Sequence, residues 1–231
     1  DVLFVFTSYI TFFIFFNYVL NVIRQGLAIS FIILAISVLI SKKNKKTSFY
    51  IPIILAPLLH ITSLPLSVIL LLLRWFKVRF KTIFLLWLIS IILFITHLNQ
   101  KFLSNLPFEQ LELYSSERFL EQYGLVNRMD FLLFSVFFAV LGYLIWKYSL
   151  NKKDTEYELL LKIYITFNIY FTLLGFIAYS DRLASYSWML IPILIWKGVC
   201  ETNNYRLKSL ALLIIFIFTG LLTGGLIVIL E

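Results

Sequence analysis

The chain has 231 residues, 61% of them hydrophobic, 18% aromatic and 14% charged, with a mean hydropathy of +0.94 and a formal net charge of +8. A soluble domain carries roughly 25% charged residues, so this composition excludes an ordinary soluble fold. Continuously apolar runs, of which about 20 residues cross a bilayer core, exclude the alternating strands of a β-barrel and predict an all-α, polytopic integral membrane bundle.

Residues 2–20 form the first predicted span, lacking the charged n-region and small-residue cleavage site of a signal peptide. The chain starts without Met and stops at Glu231 directly after an apolar run, so its N-terminal part is expected to be missing. The second span, 23–40, opens in NVIRQGLAIS. Asn17, Asn21, Arg24 and Gln25 recur there at helical offsets of three and four, which predicts one polar stripe turned inward. Arginine inside a membrane is costly and is paired or faces a cavity. Snorkelling to the headgroups accounts for Arg24 alone, but not for the stripe.

Two basic segments follow, SKKNKKTS (41–48) and RWFKVRFK (74–81), and such segments stay cytoplasmic. Only residues 49–73 separate them. If both are inside, that stretch enters and returns with about 12 residues per leg, or ~18 Å, against a ~30 Å core. Its centre reads LAPLLHITSLPLS, where Pro57 and Pro65 flank His60, Thr62 and Ser63. Proline breaks helices, and irregular backbone at membrane depth lines a cavity. The expectation is a re-entrant helical hairpin with His60 at its tip, facing a cavity open to the outer side. The alternative is a single kinked span with one basic segment outside and His60 a packing residue.

Next comes a span at 82–98, which makes His97 interfacial. Residues 99–129 form the largest external segment. There Leu111, Phe119 and Leu120 alternate with Glu109, Glu112, Glu117 and Glu121, predicting one or two amphipathic helices on the bilayer surface or over a cleft. Spans at 130–149, 157–179, 184–199 and 209–230 complete the chain, interrupted by the basic KYSLNKKD (147–154) and NNYRLKS (203–209). Gly220 and Gly224 have GxxxG packing spacing. The prediction is therefore about seven spans, a re-entrant hairpin and an external amphipathic segment, in one transmembrane domain covering 1–231.

Of the 20 cations only Arg24, Lys101, Arg118, Arg128 and Arg182 fall outside, so the positive charge records topology rather than nucleic-acid binding. Arg128 with Asp130, and Asp181 with Arg182, read first as loop ion pairs, worth little where exposed. Tyr179 and Tyr186 flank Arg182 in what the spans make a short turn. With two histidines, the single Cys200 and no carboxylate cluster on a span, neither a metal-ligand set nor a disulfide is expected.

Guanidinium groups bind diphosphate oxygens bidentately and keep their charge, and a histidine accepts a proton from a sugar hydroxyl. Gathered on the outer side, they suit a ligand with a lipid tail, a diphosphate and a sugar. The absence of a carboxylate pair inside the spans argues against glycoside hydrolysis.

The segments NVIRQGLAISFIILAI, a lysine-rich loop, and LAPLLHITSLPLSVILLLL resemble the EpsG family of bacterial exopolysaccharide and O-antigen polymerases, which are Wzy-like in function. Asn21, Arg24, Gln25 and Ala28 match its N-x-x-R-Q-x-x-A element, His60 and Thr62 its H-x-S/T element, and Arg182 with Tyr186, more loosely, its late Arg-Tyr element. The match is good over 17–75 and weak over 175–196. The resemblance implies a metal-independent and cofactor-free glycosyltransferase in the bacterial cytoplasmic (inner) membrane. It would move a growing glycan from undecaprenyl diphosphate to a lipid-linked repeat unit at the outer face. Arg24 and Arg182 would stabilise the leaving diphosphate, His60 would be the base or position the acceptor, and Asp181 is the second candidate base. Asn17, Asn21, Gln25, Thr62, Ser63, Tyr186 and Arg128 would contact substrate. The implied partners are the undecaprenyl-diphosphate-linked oligosaccharide, membrane lipid, and a chain-length regulator or other export proteins. The rival readings are a lipid-linked oligosaccharide flippase or transporter, and a polyprenyl-phosphate-dependent glycosyltransferase or ligase. A flippase should carry polar groups through the full membrane depth, whereas here they gather on one side.

Overall fold

Apolar residues recur at three- and four-residue intervals throughout, and every regular element among the described residues is helical. The computed structural model describes residues 2–10, 13–20, 22–41, 46–103, 114–116, 119, 121, 126–150 and 152–200. Their helices are α1 (Val2–Ile10), α2 (Phe13–Leu20), α3 (Ile23–Ile40), α4 (Lys46–Leu59), α5 (Leu64–Trp75), α6 (Phe80–Ile95), α7 (Leu98–Leu103), α8 (Met129–Leu144), α9 (Thr155–Leu174), α10 (Ser180–Trp188) and α11 (Ile191–Cys200). A 3₁₀ turn at Ile61–Ser63 precedes α5, and a π-helical turn at Ile145–Ser149 continues α8. Among the described residues three helices are long and apolar enough to cross a membrane: Ile23–Ile40, Met129–Ser149 and Thr155–Leu174. Shorter apolar helices cover Thr47–Leu59, Ile61–Trp75 and Phe80–Ile95. The predicted span 209–230, with Gly220 and Gly224, lies outside the described residues, as does most of the external segment.

The residues cluster into two compact units. One takes in described residues of 1–68, 142–160 and from 189 onward; the other takes in 69–141 and 161–188.

In the first unit the principal packing is α3 on α4. The inward stripe of α3 is Gln25, Ala28, Ile29, Ile32, Ala35 and Ile36, one face of a 3.6-residue helix. It meets Phe49, Ile53 and Ala56, all buried at 4% exposure or less. Alanine at 28, 35 and 56 lets the two backbones approach, which is how helices associate when lipid removes the hydrophobic drive. At the other end of the chain Tyr9 Oη donates to the Met189 carbonyl at 2.6 Å, tying α1 to the entry of α11. Asp154 Oδ1 accepts from the amides of Glu156 and Tyr157 and so caps α9. Lys197 of α11 reaches Glu156 at 2.9 Å and Asp154 at 3.9 Å across that cap.

In the second unit α6 and α9 are joined by polar pairs within an aromatic core. Trp87 Nε1 donates to Asn168 Oδ1 at 2.8 Å, and Thr172 Oγ1 to Ser90 Oγ at 2.8 Å. Trp188 Nε1 donates to Ser135 Oγ at 2.7 Å, while Tyr164 Oη donates to the Ser135 carbonyl at 2.9 Å. Gly175 ends α9 where a Cβ would stand 2.2 Å from the Phe94 ring, so only glycine admits this approach.

Three expected boundaries move. The span 82–98 stops at Ile95, since Thr96 and His97 turn before α7. The span 157–179 stops at Leu174, where the Gly175 turn begins. The span 184–199 is two helices with a turn at Met189 and Leu190. Pro192 explains this last break, because it has no N–H to bond the Trp188 carbonyl and its ring clashes with that turn.

Candidate functional site

The break at His60 is built by its neighbours. Pro52 and Pro57 lie inside α4, each removing one ladder hydrogen bond, and the helix ends at Leu59. His60 is extended (φ −151°, ψ 114°) and its carbonyl accepts from the Ser63 amide at 3.0 Å and the Ser63 hydroxyl at 2.9 Å. Pro65 stands in the first turn of α5, where a missing N–H costs nothing. His60 Nδ1 lies 2.6 Å from Thr62 Oγ1, a contact that fixes the half-buried ring. Ser63 is fully buried, its hydroxyl spent on the turn.

α3 and α4 are joined by residues 41–45 and pack side by side, so they run antiparallel. At 1.5 Å per residue α4 returns about 21 Å along the roughly 27 Å of α3. The 3₁₀ turn therefore packs against α3 near its start, the end that carries Arg24 and Gln25. Thus the two elements N-x-x-R-Q-x-x-A and H-x-T, 36 residues apart at Arg24 and His60, come to one end of a helical pair.

The polar stripe does not turn inward as a whole. Gln25 is fully buried, whereas Asn17 and Arg24 are exposed, and Asn21 lies outside the described residues. Geometry explains the split: Gln25 continues the Ala28, Ile29 and Ile32 face, and Arg24 is one residue, about 100°, off it. Arg24 has no ion pair among the described residues. Gly26 is where α2 touches α3, since a Cβ there would lie 2.9 Å from the Tyr18 carbonyl oxygen.

In the second unit Asp181 and Arg182 are not in a loop: they occupy the first turn of α10. Arg182 Cζ lies 3.9 Å from the centroid of the Tyr179 ring, and Tyr179 adopts φ 61° to put the ring there. Cation–π stacking of this kind orients a guanidinium without neutralising it. The Tyr114 ring meets that of Tyr179 edge-on at 6.1 Å and that of Phe119 at 5.5 Å, and the Tyr114 carbonyl accepts from the Ala178 amide at 2.9 Å. The described residues around Tyr114 are thus fastened to the turn that precedes Arg182. Tyr186 is buried at 1% exposure within the core, and both Asp181 and Arg182 are half-buried. Arg128 forms a two-pronged ion pair with Asp130 and lies 3.8 Å over the Phe131 ring, with its side chain 43% exposed.

A cluster of buried amides was not singled out by the sequence. Asn99 and Asn127, at 1% and 4% exposure, exchange hydrogen bonds through their side chains at 3.0 and 3.1 Å. Asn127 N–H also donates to the Gly175 carbonyl at 2.8 Å, holding the turn that leads to Arg182. Single amides near span ends are unremarkable in sequence, and only the fold brings these two together. Among the described residues no group of histidine, cysteine and carboxylate side chains is arranged to hold a metal.

Helices of this length and apolarity, with cationic groups at helix starts, define an α-helical membrane protein. Residues 2–228 match the family model described as EpsG family, and the chain belongs to that family. Membership associates it with polysaccharide biosynthesis and a polymerase-like, glycosyltransferase type of activity. No curated protein and no solved structure matches the chain.

Proposed function

We propose that this chain is a polysaccharide polymerase of the bacterial cytoplasmic membrane. It transfers a growing glycan from undecaprenyl diphosphate to the end of an incoming lipid-linked repeat unit at the outer face. The observation that carries the reading is that Arg24 and His60 lie at the same end of the antiparallel α3–α4 pair, within a chain matched to the family almost end to end. Arg24, without an ion pair among the described residues, has a guanidinium free to grip phosphoryl oxygens as charge develops on the leaving diphosphate. In this reading His60, whose Nδ1 is engaged by Thr62, is the base that takes the proton of the attacking sugar hydroxyl. Arg182, propped on Tyr179, is the second cation for the diphosphate, with Asp181 the alternative base. Asn17, Asn21, Gln25, Thr62, Ser63, Tyr186 and Arg128 belong to this reading as substrate contacts or their supports. In it, residues 49–73 form a re-entrant hairpin and the remaining apolar helices make up about seven spans.

The test is the lipid-linked glycan profile of cells carrying single variants. Arg24→Ala or Arg182→Ala should cut polymerisation by roughly 10²–10³-fold, the scale of losing a preorganised charge donor. Long chains should vanish while single repeat units stay on the carrier. A normal ladder of glycan lengths from either variant would refute the assignment of that arginine. The flippase reading predicts repeats retained on the cytoplasmic leaflet instead. The polar pairs Trp87–Asn168 and Ser90–Thr172 do not favour it, because each already bonds helix to helix.

A further inference from the structure

His97 ends α6 in a setting unlike that of His60. It is exposed and left-handed (φ 57°), and its Nδ1 lies 3.0 Å from Nδ2 of buried Asn127, itself left-handed at φ 47°. Two adjoining non-glycine residues in this sparsely populated region persist only where their surroundings over-determine them, and such places cluster at ligand sites.

The backbone fixes which atom of Asn127 faces the ring. Asn99 Oδ1 accepts from the Gln100 amide at 2.9 Å and Asn99 Nδ2 donates to the Thr172 carbonyl at 3.0 Å, so Asn99 has one orientation. Its Nδ2 also donates to Asn127 Oδ1 at 3.0 Å. On its other side Asn127 faces the Phe94 carbonyl at 3.2 Å, which only an amide N–H can meet. Reversing Asn127 would set oxygen against oxygen there. Nδ2 of Asn127 is therefore the atom beside His97, its two hydrogens shared among the Phe94 carbonyl, Asn99 Oδ1 and His97 Nδ1. An amide nitrogen accepts no hydrogen bond, so a proton on His97 Nδ1 would face a donor, and Nδ1 carries none. The imidazole proton then sits on Nε2, on the far side of the ring, with no partner among the described residues.

We infer that His97 is a substrate-binding residue whose ring, oriented by Asn127, donates Nε2–H to a phosphoryl or sugar oxygen of the lipid-linked glycan. This rests on the polymerase reading.

The experiment has two arms. In the full chain carrying His60→Gln and labelled with ¹⁵N-histidine, His97 is the sole imidazole signal, read in mildly alkaline buffer. Nδ1 should be unprotonated and Nε2 protonated, and Asn127→Asp should move the proton to Nδ1. A protonated Nδ1 in the chain with native Asn127 overturns the inference. The second arm measures binding of undecaprenyl diphosphate, and of undecaprenyl-diphosphate-linked N-acetylglucosamine, to the chain in lipid nanodiscs. His97→Ala should weaken binding by about tenfold, with part recovered by His97→Gln, whose amide N–H also donates. Weakening with both probes identifies a phosphoryl oxygen, and weakening with the glycosylated probe alone identifies a sugar oxygen. Equal binding by His97→Ala and wild type for both probes overturns the assignment and leaves the polymerase reading intact. Failure of the wild type to bind either probe overturns both.

Discussion

At His60 the backbone leaves the helix and the imidazole is pinned by Thr62, so the side chain and the break share one cause. If His60 is the base, His60→Ala should remove long-chain glycan and also the rising limb of the pH–rate profile. Measured as initial polymerisation rate against pH, retained activity with an unchanged profile would assign His60 to packing. Gly175 offers a stability test. Gly175→Ala sets a methyl group against Phe94, which is fully buried and packed on Phe171 at 5.5 Å, and should cost ~1–3 kcal/mol as overpacking. A fall in melting temperature in nanodiscs checks this; an unchanged one would mean that the ring moves freely aside. His60 was legible in sequence because histidine between two prolines is conspicuous in an apolar run. Asn99, Asn127 and Gly175 were not: their meaning lies in contacts between residues 28 and 48 positions apart.

The helices show where composition informs and where it stops. Span 23–40 was read with its observed bounds, since the run after Arg24 and Gln25 is predominantly apolar as far as Ile40 and basic residues follow it. The stretch 184–199 was read as one span because hydropathy averages over Pro192, whose effect is local and steric. Arg182 was expected in a turn for the same reason: α10 is amphipathic and short, and SDRLASYSW is not apolar enough to announce a helix. The orientation of α4 and α5 gives a prediction at this scale. In a Cys200→Ser background, cysteines placed at Asn44 and at Lys77 should both react with a membrane-impermeant thiol reagent only after the cell is opened. Labelling of either site in intact cells would exclude a re-entrant 49–73 stretch and favour one kinked crossing.

For the whole molecule the strongest expectation concerns the cell that lacks it. Deletion should leave single repeat units on the lipid carrier, detected by mass spectrometry of extracted lipids, with no change in their sugar composition. Accumulation of longer oligomers would point to a ligation step instead. The membrane class and the family were legible from composition and from residues 17–75, while the two packing units were not, because each is assembled from segments distant in sequence. The π-helical turn carries a consequence of its own. There the Leu150 amide bonds the Ile145 carbonyl five residues back, a wider turn than the α-helix before it, and such turns hold one residue more than a regular helix would. Shortening the chain by one residue between Ile145 and Ser149 should let the turn tighten to regular α form. A one-residue deletion in mid α8 would instead rotate everything downstream by about 100° and unseat Phe138 and Ala139. A deletion scan along 130–149 should therefore find a lone tolerant window at its end, the place where lengthening or shortening of this gene is most easily absorbed.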